Sequence, residues 1–202
     1  MTTAATTELE SINIMLAAIG EAPVNSLTGT LPVDVKLAQS TLNETSKEVQ
    51  SEGWSFNTEI DVTLTRDGSN NVNLSTDVLR VDPNIHQHTS IDAIQRGLKL
   101  YDRLNNKYEF TEDLICTVVY FRSFAEIPEP ARYYITIKAA RVFVDRLVSD
   151  DGLRTYTQQD EVRARAILME TDLSNADHNL LRGDPSLTSV FDTYSPSRAL
   201  IR

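Results

Sequence analysis

The 202-residue chain has one cysteine, one tryptophan, three histidines, seven glycines and seven prolines. A lone cysteine excludes an intrachain disulfide and any metal site made of cysteine pairs. Cys116 stands in the apolar run LICTVVYF, with no helix start or sequence-adjacent cation to lower its thiol pKa. It reads as a buried structural thiol rather than a nucleophile. Long apolar runs are missing as well: none approaches the roughly 18–20 residues that a membrane-crossing helix needs. The opening MTTAATTELE lacks the basic start and apolar stretch of a secretory signal. Synthesis and folding in a reducing cytosol are therefore expected. Positive charge is scarce, with 19 Lys and Arg against 29 Asp and Glu, a net charge of −10 and a pI near 4.7. Affinity for a phosphate backbone comes from Lys and Arg, so this surface would repel nucleic acid rather than wrap it. No Gly-rich phosphate loop, G-x-S-x-G or H-E-x-x-H motif occurs.

What is present falls into three stretches. Thr7 and Glu10 make a capping box, S/T-x-x-E. Leu9, Ile12, Met15, Leu16 and Ile19 then recur at helical spacing up to Gly20. A second helix is predicted over about 33–52, with Val35, Ala38, Leu42 and Val49 as its apolar stripe and Gly53 as its stop. The period then changes to two. Ile60, Val62 and Leu64 alternate with Glu59, Asp61 and Thr63, a half-buried strand that ends at the Asp67-Gly68 turn. DVLRVDP is extended up to its proline, and GLKLYDRLNNKYEF reads as strand, turn, strand around Asn105-Asn106. LICTVVYF, rich in β-branched and aromatic residues, is the strongest strand.

After Pro128 and Pro130 the helical period returns, and from about 131 to 148 apolar residues cover most of the circumference. Lys138, Arg141 and Asp145 leave only a narrow polar stripe, which marks a central helix. SDDG breaks it. A fourth helix is expected to open near Thr157, capped with Asp160. Along it Val162, Met169, Leu173, Ala176 and Leu180 form an interrupted heptad suited to lying against another helix. The end of the chain has no sustained period but carries Leu187, Val190, Phe191, Tyr194, Leu200 and Ile201. It would either dock on a partner or strap its own domain.

The order helix-helix, β-rich middle, helix-helix predicts an α+β protein. About four helices (residues 1–53 and 128–182) form a bundle, residues 54–127 an inserted β-rich module, and residues 183–202 an extended tail. Gly53 and Trp54 then mark the junction where the chain leaves the bundle. Gly53 permits the sharp turn, and the indole is large enough to pack against both modules.

Candidate chemistry is thin. His86 and His88, with Asp82 or Asp92, have the beginnings of a three-ligand zinc or iron site, but a polar loop with two exposed imidazoles satisfies the same pattern. Glu109, Glu112 and Asp113 offer carboxylates for a glycoside hydrolase, which needs a pair about 5–10 Å apart across a cleft with one pKa raised. Such acids in an exposed turn would keep ordinary values. The cations Arg132, Lys138, Arg141, Arg146, Arg154, Arg163 and Arg165 concentrate in the last two helices. They would meet the acidic surface of a neighbouring copy in a head-to-tail ring, or form pairs within the chain such as Arg141 with Asp145.

INIMLAAIGEAPVNSLTG (12–29), EVQSEGWSFNTE (48–59), RGLKLYDR (96–103) and EIPEPARYYITIKAARVFVDRLVSD (126–150) resemble, in order, blocks of the tail tubular protein A family of short-tailed phages. The resemblance covers the chain up to about residue 182. It implies a head-to-tail adaptor, or gatekeeper, in the virion tail: a dodecameric ring assembled in the host cytoplasm, below the portal and above the nozzle (tail tubular protein B). Tail fibres would dock around the junction, and DNA would pass through the channel during genome ejection. It implies no cofactor, no metal and no catalytic residue. On this reading residues 187–201 would bind portal, and Arg132, Lys138, Arg141, Arg154, Arg163 and Arg165 would lie between subunits. The competing class is a virion-associated cell-wall hydrolase using a carboxylate pair in the β-rich stretch.

Overall fold

A computed structural model describes residues 5–84, 87–147 and 151–175, the side chains of 151–157 excepted. Four helices and five strands follow one another as α1 (Glu8–Ala18), α2 (Val33–Ser51), β1 (Thr58–Leu64), β2 (Val78–Pro83), β3 (Ala93–Arg96), β4 (Lys99–Asp102), β5 (Leu114–Tyr120), α3 (Glu129–Leu147) and α4 (Asp151–Asn175). The fold is mixed α+β, as the alternation of periods predicts.

The starts of α1 and α3 have local causes. Thr7 caps α1 as a full capping box: the Thr7 hydroxyl accepts from the Glu10 N–H, and the Glu10 carboxylate accepts from the Thr7 N–H. Thr6 donates from its backbone and its hydroxyl to Glu129, which ties this end to the first turn of α3. Pro128 and Pro130 fall just before and within that turn, where a missing N–H costs little.

α3 is the centre of the helical layer and packs against α1, α2 and α4. Tyr134, Ile135, Ala139 and Phe143 meet Ile12, Met15, Leu16 and Leu42 in one apolar cluster, and α4 adds Ala164 and Leu168. Fully burying a side chain of the size of Leu or Phe contributes about 1.5–3 kcal/mol, so this cluster dominates the helical layer.

The β-rich stretch has a separate cluster built from Val72, Val81, Leu100, Phe110, Leu114, Cys116 and Val118 among others. Here β5 lies between β1 and β2 in an antiparallel sheet, and β3 and β4 form a hairpin beside it. LICTVVYF is thus the central strand, hydrogen-bonded on both edges.

Four expectations need correction. The hairpin turns at Gly97-Leu98 rather than around Asn105-Asn106: Lys99–Asp102 pairs with Ala93–Arg96, and Lys107 makes only an isolated bridge to Asp102. Ile60 does not point inward with Val62 and Leu64; it is 67% exposed. The register shifts between Glu59 and Val62, and Asp61 adopts φ 57°, so a bulge adds one residue and reverses the facing of Ile60. α4 opens at Asp151, not near Thr157. Of the six residues before Thr157 only Gly152 disfavours a helix, so a capping-like pair further on is not a boundary. Within α4, Val162, Met169 and Leu173 do not lie against another helix among the described residues. They are 70%, 47% and 61% exposed, whereas Ala164 and Leu168 are buried. Ala176 and Leu180 lie outside the described residues.

Candidate functional site

The chain leaves the helical layer after α2 and returns before α3, and these two crossings run side by side. Thr58 on β1 pairs with Val119 on β5. Two buried amides join the crossings. The Gln50 side chain donates to the Arg122 carbonyl (2.9 Å) and accepts from the Arg122 N–H (2.8 Å), as a backbone strand would. Asn57 accepts from the Trp54 N–H (2.9 Å) and donates to the carbonyls of Gln50 (2.9 Å) and Tyr120 (2.8 Å). Both side chains are almost fully enclosed and every polar atom on them is used. A network this complete fixes geometry, because any slip would strand a buried donor or acceptor.

Trp54 is anchored by its indole N–H, which donates to the Val49 carbonyl at 2.9 Å. Its ring belongs to the helical cluster rather than to both clusters. The sheet side is met instead by Gly53 and Asn57. Gly53 has φ 83°, and a Cβ there would stand 2.7 Å from Arg80 Nη2 and 3.2 Å from Val119 Cγ2. Arg165 closes the other side. Its guanidinium holds Glu52 through two bonds and the Tyr134 hydroxyl through a third, 5.8 Å from the Trp54 ring centre. The Glu52 carboxylate, then the Tyr134 hydroxyl, raise the Arg165 pKa still further. Asp172 of α4 accepts from the N–H and hydroxyl of Ser55. Sequence reasoning missed Gln50 and Asn57. The available signal was that the inward face of α2 becomes mixed after Leu42, with Thr45, Ser46 and Gln50 beside Val49.

The other cations of the last two helices mostly meet partners within the chain. Arg132 donates to the carbonyls of Thr6, Ala125 and Ile127. Lys138 pairs with Glu48 at 3.0 Å, Arg146 with Glu44 at 2.9 Å, and Arg141 with Asp145 at 3.1 Å and with Glu161. Arg163 is exposed. The Arg154 side chain and residues 187–201 lie outside the described residues, as does His86.

His88 is a buried strut, not an exposed imidazole. Its Nε2 accepts from the Ile115 N–H at 2.9 Å, which puts the proton on Nδ1, 2.8 Å from Glu112. Asp92 pairs with Arg103 at 2.7 Å. Among the described residues no three His, Cys, Asp or Glu side chains gather as a metal-ligand set.

Of the acids considered for hydrolysis, Asp113 is arranged against that chemistry. Asp113 accepts from the Arg66 backbone and side chain, which hold its carboxyl below the usual range. A general acid needs the opposite shift. Glu109 borders a cleft of about 280 Å³ with Asp102, Lys107 and Phe110. Burial pushes the Asp102 pKa up, but hydrogen bonds from Asn105 and the Leu104 N–H outweigh it, and the net shift is down. Burial, with the Asp82 charge adding to it, drives the Cys116 thiol up to about 12, so it is no nucleophile at neutral pH.

Buried groups thus hold two layers in a fixed relation, and in the cleft Asp102 is held by Asn105 and the Leu104 N–H. The family model of the tail tubular proteins matches residues 9–178, both helical segments and the β-rich stretch between them. The chain therefore belongs to the tail tubular protein family, structural proteins of the phage virion tail. No curated protein matches it.

Proposed function

We propose that the chain is the head-to-tail connector of a short-tailed phage virion. Copies form a ring, dodecameric by resemblance, that joins portal to nozzle and leaves a channel through which DNA passes without specific binding. The observation that carries this reading is the family match over residues 9–178. The net charge of −10 supports it, because an acidic wall does not grip phosphate. The helical residues 1–53 and 128–182 would form the ring wall, and residues 54–127 would face nozzle and fibres. The buried Gln50 and Asn57 suit that arrangement, since a connector has to keep the angle between its attachment surfaces. Leu187, Val190, Phe191, Tyr194, Leu200 and Ile201 would order on the portal, gaining burial at about 25 cal/mol per Å² against the entropy of fixing the segment.

Co-sedimentation with purified portal rings tests the proposal. The full chain should pellet with portal, and a chain ending at Gly183 should stay folded and soluble but remain in the supernatant. Unchanged binding by the shortened chain would remove the portal role of the tail. Failure of the full chain to bind would remove the connector role.

A further inference from the structure

α4 has two apolar faces, and the described residues cover one. Ala164 and Leu168 enter the helical cluster against α3. Val162, Ala166, Met169 and Leu173 lie within about 60° of one another around the axis at 3.6 residues per turn, on the far side from that contact. All four are exposed. Their spacing of four, three and four is a heptad seam, the pattern by which one helix takes the knobs of another. In sequence it continues through Ala176 and Leu180.

The charges beside the seam say what covers it. With Val162 and Met169 at d and Ala166 and Leu173 at a, Arg163 and Glu170 both occupy e, and Arg165 and Asp172 both occupy g. In an antiparallel pair e faces e and g faces g. Two copies of α4 related by a two-fold axis near residues 166–169 would therefore set Arg163 of each against Glu170 of the other. Arg165 and Asp172 would be matched in the same sense across the opposite flank, beside their bonds to Glu52 and Ser55. The a–d layers would be Val162 with Leu173 and Ala166 with Met169, and the small Ala166 would let the backbones approach at the centre. One stretch of helix thus presents, on the same seam, apolar spacing and two flanks that are self-complementary under the same axis. The geometry points to a homodimer of the free protein, closed through antiparallel α4 helices, before it meets portal. This goes beyond the connector role. An isologous contact is satisfied by two copies and leaves no open end to propagate.

Sedimentation equilibrium of the full chain over micromolar concentrations at low salt is the test. The mass should rise from 22.6 kDa toward twice that value. Met169→Lys should keep the chain at a single-copy mass. Arg163→Glu and Glu170→Arg should each raise the apparent Kd by about tenfold or more, and the double reversal should restore it. All three positions are exposed, so circular dichroism should be unchanged. A single-copy mass for the unmodified chain at every concentration overturns the inference, whether or not residues 176–202 cover the seam. So do assemblies that grow past two copies, or a double reversal as weak as either single one. Portal co-sedimentation of Met169→Lys tests the connector role separately.

Discussion

Replacing Asn57 with alanine removes three hydrogen bonds at the crossing without touching the apolar clusters. The Trp54 N–H loses its acceptor, and the carbonyls of Gln50 and Tyr120 lose a shared donor. Each bond contributes about 1 kcal/mol net, and a buried N–H left unpaired adds a desolvation penalty, so the total loss is about 3–4 kcal/mol. In a chain of this size 1 kcal/mol shifts Tm by about 2–4 °C, which gives a fall of roughly 6–16 °C. Differential scanning calorimetry reads the Tm, and urea unfolding reads the free energy at constant m. The exposed Ser51→Ala serves as a control and should move stability by about 0.5 kcal/mol or less. Amide exchange at Trp54 should accelerate in the Asn57 variant while the middle of α3 stays protected. A loss under about 1 kcal/mol would mean that water replaces the amide easily, and the crossing would then not be the rigid element described.

Gly53→Ala should destabilise by about 1–3 kcal/mol in urea unfolding, because φ is positive there and the new Cβ would press on Arg80 and Val119. Leu168→Ala should cost about 2–5 kcal/mol, while Leu173→Ala should cost about 0.5 kcal/mol or less; equal losses would mean that the inward face of α4 is wrongly placed. Acid should unfold the protein through Asp67, Asp102 and Asp113, whose carboxyls lie below their ordinary value of 3.8 when folded. Depressed folded pKa values mean stability present in full above the unfolded value and lost as pH falls through the folded ones. Circular dichroism melts should therefore be steady down to about pH 5 and drop below about pH 4, less steeply in Asp102→Asn. Cys116 should resist a thiol reagent at pH 8 until the protein unfolds, and rapid labelling of the native protein would contradict its burial.

The order of elements was legible because the period of the apolar pattern changes twice, near Trp54 and near Pro128. The capping box at Thr7, the central strand of LICTVVYF and the breadth of apolar surface on α3 follow from local chemistry that the fold leaves intact. Ile60 was misread because a bulge shifts parity without any side-chain signature. The α4 seam was legible as a pattern, but spacing shows that a helix can be covered and not by what. Arg141 with Asp145 was visible because i,i+4 is a local rule. The partners of Arg165 and Lys138, in contrast, come from residues far along the chain and depend on how α2 lies beside α3 and α4. Gln50 and Asn57 were hidden for a related reason: an amide in a sequence gives no sign of whether water or a returning strand completes its bonds.

The paired crossing has a mechanical corollary. Outgoing and returning strands reach the helices at one level, and the Gln50 and Asn57 amides span the gap between them. Traction on the outer sheet is therefore split over two covalent tethers braced at a common height. For either strand to peel ahead of the other, the Gln50 or Asn57 bonds would have to break first.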